Sequence, residues 1–213
     1  MSNLPFISSN NRQTKDDKQL VKDILNKYEI NSRADIYQAL ILKYKDLLGK
    51  SPNSRIGVVT SNSWFKTSNG KSFFDILAEN FDVKYIVYSD VARWFDNADV
   101  VSSIIVLENK SSNPSKTQFI SLQKDIRHMT PTDITEISNA IILNKEHPAT
   151  AKYLYSKKEV DGLISSGLSL EALFDNIKWF QKLKDKKIII PSNKIIDVFR
   201  GTRTGGDDIF ITD

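Results

Sequence analysis

The chain has 213 residues, of which 40% are hydrophobic and 26% are charged, and its formal net charge is +4. This composition is typical of a globular protein of one to two domains, which excludes a disordered chain. The absence of Cys excludes disulfides, a thiol nucleophile and a Cys-built zinc site. No apolar run approaches the roughly 20 residues needed to span a bilayer, and no signal peptide opens the sequence. We therefore expect a cytoplasmic protein without membrane contact.

Hydrophobic periodicity and turn residues predict alternating helices and strands. In chain order, the predicted elements are a polar loop over 8–18, helices over 20–28 and 35–48, a strand over 55–60, a helix over 70–80, strands over 83–88, 100–107 and 117–126, and helices over 130–143 and 168–183. Asp35 is the expected N-cap of the second helix and Gly49 its expected stop. The alternation indicates an α/β protein built on a layered sheet.

The first distinctive motif is Asn3-Leu4-Pro5-Phe6. It resembles the four-residue catalytic motif Asn-Pro-Pro-Tyr/Phe of methyltransferases that act on the N6 amino group of adenine in nucleic acids. Leu in the second place is a variant familiar in adenine methyltransferases that act on RNA. Taken alone, a match of four residues also fits an N-terminal tail with a turn at Pro5.

Three later segments extend the resemblance. The segment RIGVVTSNSW over 55–64 is similar to a strand and loop of the gamma-type, Eco57I-like methylases of restriction–modification systems. Residues 93–100 are similar to the next block of that family, and FRGTRTGGDDIFI over 199–211 resembles the segment where its target-recognition region begins. The order of these segments along the chain matches the family.

The resemblance implies a chemistry for each motif residue. The lone pair of the adenine amino nitrogen is delocalised into the ring, so acceptors around its two N–H bonds favour a more nucleophilic nitrogen. In the family the Asn side chain and the next backbone carbonyl are those acceptors, which here are Asn3 and Leu4. Pro5 fixes the turn, and Phe6 stacks on an adenine that is flipped out of the duplex.

Other residues carry weaker expectations. Phe95 is a candidate for a second aromatic against the flipped base, although Trp94 and Phe95 also fit ordinary core or loop-anchoring roles. Asn62 and Ser63 follow a strand, where open α/β sheets place ligands, and simple loop capping is the alternative. The DNA-contact candidates are Arg200, Gly201, Arg203, Thr204 and Gly205, for which a hairpin turn with solvated arginines is the alternative. We assign no catalytic role to His128 or His147 and expect no metal site.

In the family, the Gly-rich half that binds S-adenosylmethionine precedes the catalytic motif, whereas only Met1 and Ser2 precede Asn3 here. The resemblance therefore implies a partial Rossmann-like class I methyltransferase sheet followed by a mainly helical connecting region. We expect residues 1–112 to form the second half of a catalytic domain, 113–196 the mainly helical connecting region and 197–213 the start of a truncated target-recognition region. We expect this chain not to bind S-adenosylmethionine alone, and to need a complementary cofactor-binding half or self-association.

The sequence thus favours a fragment or split half of an S-adenosylmethionine-dependent DNA adenine-N6 methyltransferase of a restriction–modification system, acting on double-stranded DNA. The alternative is a non-catalytic DNA-binding or subunit-interaction remnant of such an enzyme. A third possibility is RNA adenine methylation, which Leu4 suggests. The segments over 93–100 and 200–211 argue against it because they resemble the restriction-type enzymes.

Overall fold

The protein is described by a computed structural model. It describes residues 2–4, 15–28, 36–49, 51, 54–95, 101–190, 192 and 195–196. The chain divides into two compact units, Met1–Ile177 and Lys178–Asp213. In the second unit, the described part consists mainly of helix α6 (Lys178–Asp185), where the rings of Trp179 and Phe180 meet edge to face.

The first unit is built on a mixed six-stranded sheet in the order β1-β2-β4-β3-β5-β6. The strands are β1 (Ser2–Asn3), β2 (Arg55–Ser61), β3 (Phe81–Ser89), β4 (Ser102–Asn109), β5 (Thr117–Leu122) and β6 (Thr150–Tyr155). β1 pairs in parallel with β2, and β3 in parallel with β5, whereas β4 is antiparallel to both β2 and β3. The four strands β1, β2, β3 and β5 therefore run in one direction and end at the same edge of the sheet.

One face of the sheet, which we name face A, carries the main core. Side chains from the centre of β2, β3, β4 and β5 lie on it, among them Val58, Ile86, Ile105 and Phe119, each without exposed area. Two helices pack on this face, α2 (Ile36–Lys43) and α3 (Ser68–Asn80), together with the segment that follows β6.

The opposite face, face B, is covered by helix α4 (Pro131–Ile142). Ile137 of this helix packs with Val87, Ile120 and Leu122 of the sheet. Helix α4 begins at a capping box in which Thr130 and Asp133 exchange hydrogen bonds, and Pro131 occupies its first turn. The predicted helix over 130–143 is therefore confirmed almost to the residue.

The structure differs from the predicted elements in three regions. Helix α1 (Lys15–Lys27) begins inside the segment 8–18, which was expected to be a loop. β6 and helix α5 (Lys157–Ile164) fall where the pattern predicted no element. The single helix expected over 168–183 is two elements, a 3-10 helix (Leu170–Phe174) and α6, because Asp175 is extended with φ −116° and ψ 167°.

The fold class is confirmed as α/β. Inside the region 113–196, which was expected to be mainly helical, β5 and β6 continue the same sheet. Within the described ranges, no helix is long and apolar enough to cross a membrane. The expected N-cap Asp35 lies outside the described residues.

Candidate functional site

The carboxyl ends of the parallel strands gather polar residues at one edge of the sheet. β1 ends at Asn3, β2 is followed by Asn62, β3 by Asp90 and β5 by Gln123. Open α/β sheets bind ligands outside the carboxyl ends of their strands, where loops leave backbone and side chains free to face a ligand. This edge is therefore the candidate site.

Asn3 lies at this edge with its side chain exposed. It is aligned with Val59 in the parallel ladder, so the two side chains point to the same face, face B. The next residue, Leu4, is 5% exposed and belongs to the core on face A. In the predicted catalytic motif, Asn3 is thus exposed to solvent and Leu4 is buried in the core. Pro5 and Phe6 lie outside the described residues.

The loop after β2 holds Asn62 and Ser63 at the edge. The backbone N–H of Asn62 donates to the carbonyl of Val101 at 2.9 Å, and that of Ser63 donates to the Ser61 hydroxyl at 3.0 Å. Asn62 is half-buried and Ser63 is exposed, and neither side chain acts as the cap of the 3-10 helix Ser63–Lys66. Their expected role toward a substrate stays a prediction.

Two buried aromatic residues, Trp64 and Phe65, hold this loop against the core. Trp64 is 2% exposed and Phe65 is 1% exposed, and their ring centroids lie 4.6 Å apart. Trp64 also contacts Phe73 of α3 edge to face at 5.2 Å, and Phe65 contacts Phe174 at 5.0 Å. Burial of these rings fixes the backbone that carries Asn62 and Ser63, since aromatic side chains bury the largest apolar areas.

The loop after β3 places its two aromatic residues, Trp94 and Phe95, in different environments. Trp94 packs against the face B cluster around Val87, whereas Phe95 is 40% exposed. The backbone N–H of Ala92 donates to the Ser89 hydroxyl at 3.1 Å and fixes the start of this loop. The structure therefore gives Trp94 a packing role and leaves Phe95 available at the surface.

Carboxylates surround the end of β3. Asp90 accepts a hydrogen bond from the Tyr88 hydroxyl at 3.1 Å and one from the Gln123 amide at 3.3 Å. Burial and the charge of Asp90 raise the pKa of Tyr88 far above its usual value. Burial, followed by the charges of Asp90 and Glu171, also raises the pKa of Asp175. Sequence reasoning missed this acidic group, although a carboxylate directly after a strand was a usable signal.

Two of the clefts on the described part of the chain lie beside the sheet. One, of about 410 Å³, lies at the opposite end of β2 and is lined by residues that include Ser2, Tyr44 and Gly57. The other, of about 320 Å³, lies between face B and α4 and is apolar. Asn3, Asn62 and Phe95 line neither cleft. Across the described ranges, no group of His, Asp and Glu is arranged to hold a metal ion.

The DNA-contact candidates lie outside the described residues. These are Arg200, Gly201, Arg203, Thr204 and Gly205. The structure places Asn3, Asn62 and Ser63 at the carboxyl ends of the neighbouring strands β1 and β2, and Phe95 in the loop that follows β3. Their individual roles stay predictions.

Comparison with known proteins identifies the family that this edge resembles. Residues 1–95 match the model of the Eco57I restriction-modification methylase family. The resemblance inferred from the motifs is confirmed. The match includes Asn3, Asn62, Ser63 and Phe95, and it stops before the Gly-rich segment over 200–206.

One curated relative and two solved structures are similar to this chain. The chain is 25% identical over 166 residues to the type II methyltransferase M.BanIII of Aneurinibacillus aneurinilyticus, covering 78% of this chain and 25% of the relative. Among solved structures, the type IIG restriction endonuclease BpuSI is similar with a TM-score of 0.57 and 10% identity, covering 81% of this chain and 21% of that chain. A type I methyltransferase subunit from Streptococcus thermophilus has a TM-score of 0.42 and 18% identity, with 53% and 25% covered. The likeness to BpuSI concerns the fold, and the chain spans about a quarter of the curated relative.

Proposed function

We propose that this chain forms the base-binding part of an S-adenosylmethionine-dependent DNA adenine-N6 methyltransferase of a restriction–modification system. The observation that carries the proposal is the place of Asn3, exposed at the carboxyl end of β1 and aligned with Val59 of β2. The family match over residues 1–95 includes this motif. In this proposal the chain acts together with the cofactor-binding part of the enzyme, whether that part is another polypeptide or a further segment.

The role of Asn3 follows from its chemistry. Its side-chain amide oxygen accepts a hydrogen bond from the amino group of an adenine placed at the sheet edge. A second acceptor, the backbone carbonyl of Leu4, takes the other N–H. With both N–H bonds held, the nitrogen lone pair is directed away from the ring plane and toward the incoming methyl group.

The proposed substrate is an adenine flipped out of a DNA duplex. In the paired and stacked base one N–H of the amino group is bonded to thymine, so two protein acceptors cannot hold both N–H bonds until the base leaves the stack. Phe95 is the described aromatic at this edge that is exposed enough to cover the face of such a base. Asn62 and Ser63 offer hydrogen-bonding groups on the neighbouring strand end. All three are uncharged, which suits a neutral base better than a phosphate.

S-adenosylmethionine fits poorly to the described residues alone. The strands β1, β2, β3 and β5 are followed by Leu4, Asn62, Asp90 and Gln123, none of which is a glycine that could start a glycine-rich turn for the cofactor. We therefore derive no step in which these residues hold the cofactor. The proposal places the cofactor site in the other part of the enzyme.

The test uses the protein in its own host. A chromosomal Asn3→Ala allele is compared with wild type and with Asn139→Ala, a matched change at an exposed asparagine of α4. N6-methyladenine in genomic DNA is mapped by single-molecule sequencing. We expect Asn3→Ala to slow methylation by about 100-fold or more, the scale of losing a preorganised hydrogen bond to the reacting group, and Asn139→Ala to leave it unchanged.

Retained methylation in the Asn3→Ala strain would contradict the catalytic assignment and favour a non-catalytic subunit. The same strains distinguish the nucleic acid, because loss of N6-methyladenine from RNA rather than from DNA would move the substrate to RNA.

A further inference from the structure

Asn3 sits in a strand that is too short to fix its own register. β1 consists of Ser2 and Asn3 alone and pairs with β2 only at Val58 and Val59. A slip of one residue would turn every side chain of a strand to the opposite face. Such a slip would bury the Asn3 amide and expose Leu4, so contacts outside the ladder must hold Asn3 in place.

Leu4 supplies the first of these contacts. Its side chain is 5% exposed and packs in the face A core, which also contains Tyr37 and Val58. Its backbone N–H donates to the carbonyl of Val59 at 3.4 Å and extends the ladder one residue beyond Asn3. A proline at this position would have no N–H to donate, so this bond exists because the motif carries Leu.

Ser2 supplies the second contact, on the other side of Asn3. The hydroxyl of Tyr44 donates to the Ser2 hydroxyl at 3.0 Å. Tyr44 begins the 3-10 helix Tyr44–Asp46 directly after α2, and its ring packs against the same face A core as Leu4. Ser2 and Leu4, the two neighbours of Asn3, are therefore both held by contacts with the face A core.

We propose that Leu4 and Tyr44 are positioning residues that fix the register of β1 and so aim Asn3 at the substrate adenine. The proposal rests on the proposed function for its consequence in methyl transfer. Its other consequence, that Leu4 and Tyr44 hold β1 firmly in its register, follows from the geometry alone. A proline at this position would restrict the backbone by its ring, whereas Leu4 restrains it by a buried side chain and an added hydrogen bond to β2. Tyr44 restrains Ser2, the residue before Asn3.

The first experiment measures order without activity. Amide hydrogen exchange of Asn3 and Leu4 is followed in wild type, Tyr44→Phe and Tyr28→Phe, which removes a hydroxyl from another partly buried tyrosine that packs in the core. We expect Tyr44→Phe to speed exchange at Leu4 about five-fold, as expected for losing one ordinary hydrogen bond, while the central amide of Ile105 is unchanged. Unchanged exchange at Leu4, or an equal increase at Ile105, would overturn the proposal.

The second experiment measures the consequence in the host. Chromosomal Leu4→Ala and Leu4→Met alleles are scored by the fraction of newly replicated sites that still await methylation. We expect Leu4→Ala to slow methylation about ten-fold and Leu4→Met, which keeps the buried volume, to stay near wild type. Equal rates for Leu4→Ala and wild type, or failure of Leu4→Met to restore the rate, would overturn the positioning role.

The two proposals fail in different ways. If Asn3→Ala leaves methylation intact, the proposed function is wrong whatever happens at Leu4 and Tyr44. If Asn3→Ala abolishes methylation while Tyr44→Phe leaves the exchange of Leu4 unchanged and Leu4→Ala leaves the methylation rate unchanged, the proposed function stands and the positioning role is wrong.

Discussion

Gly70 is a residue whose replacement should destabilise the loop that carries the candidate site. It lies in the first turn of α3, where its N–H donates to Thr67 at 3.0 Å. A Cβ added here would lie 1.8 Å from the carbonyl oxygen of Trp64 and 3.5 Å from Leu170. Real Cβ atoms essentially never approach closer than 3.0 Å, so the backbone at Trp64 would have to move by about 1.2 Å.

Two effects of Gly70→Ala oppose each other. Alanine in a helix is favoured over glycine by about 0.5–1 kcal/mol, because glycine loses more backbone entropy on folding. Forcing extra volume into a packed site costs about 1–3 kcal/mol, and more when the obstacle is backbone rather than a flexible side chain. Because the obstacle at Gly70 is a backbone carbonyl, we expect the clash to win and the free energy of unfolding to fall by about 2 kcal/mol.

Gly162→Ala is the matched control. Gly162 lies in α5, and a Cβ added there meets nothing within 4 Å. This variant should gain about 0.5–1 kcal/mol from helix propensity alone. Urea denaturation followed by circular dichroism measures both changes, provided the m-values stay equal. A Gly70→Ala protein as stable as wild type, or stabilised like Gly162→Ala, would refute the reasoning.

Three further outcomes are expected. Phe119→Ala, which removes a fully buried ring, should cost about 3–5 kcal/mol in urea denaturation, whereas Leu154→Ala on the edge strand should cost far less. Ser156→Ala, which removes the N-cap of α5, should cost about 1 kcal/mol in the same assay. Hydrogen bonds from Arg127 lower the pKa of Asp125 to about 2, so its stabilising contribution is complete above about pH 4 and is lost as the pH falls through 2. Carboxyl chemical shifts should report that midpoint, and Arg127→Gln should raise it.

Much of the fold could be predicted where the local pattern and the tertiary environment agree. The strands over 55–60 and 83–88 are apolar and β-branched and lie in the interior of the sheet, and the structure extends each by only one to three residues. The start of helix α4 is predictable from Thr130, Pro131 and Asp133. Thr130 and Asp133 accept hydrogen bonds from free N–H groups at the helix start, and Pro131 has no N–H to satisfy.

The errors arise where long-range packing decides. β6 alternates weakly, since Ala151, Lys152 and Tyr153 are all partly exposed, and it is a strand because it pairs with β5 at the sheet edge. The apolar spacing over 168–183 fits one helix. However, Phe174 and Ile177 are both buried, with an extended Asp175 between them, and a continuous helix does not describe that stretch.

The residues proposed for the site can be picked out in the sequence, whereas the contacts that hold them in place cannot. The motif at Asn3 and the loop residues Asn62 and Ser63 are visible in the sequence because their types carry the chemistry. The contacts that hold them are not visible, since Tyr44 lies 42 positions from Ser2 and its hydrogen bond depends on the path of α2. Periodicity reports which face a residue lies on and cannot report which distant side chain meets it.

The carboxyl edge of the sheet is uncharged at one side and acidic at the other, and this difference affects how DNA would reach Asn3. The ends of β1 and β2 present the uncharged Asn3 and Asn62, whereas the end of β3 presents Asp90, with Asp175 close enough for its pKa to respond. DNA phosphates gain affinity from cations and lose it beside carboxylates. A flipped base is neutral and suits the β1–β2 side. Under the proposed function, the DNA backbone therefore passes away from the end of β3, and basic groups that hold it must come from outside this acidic group.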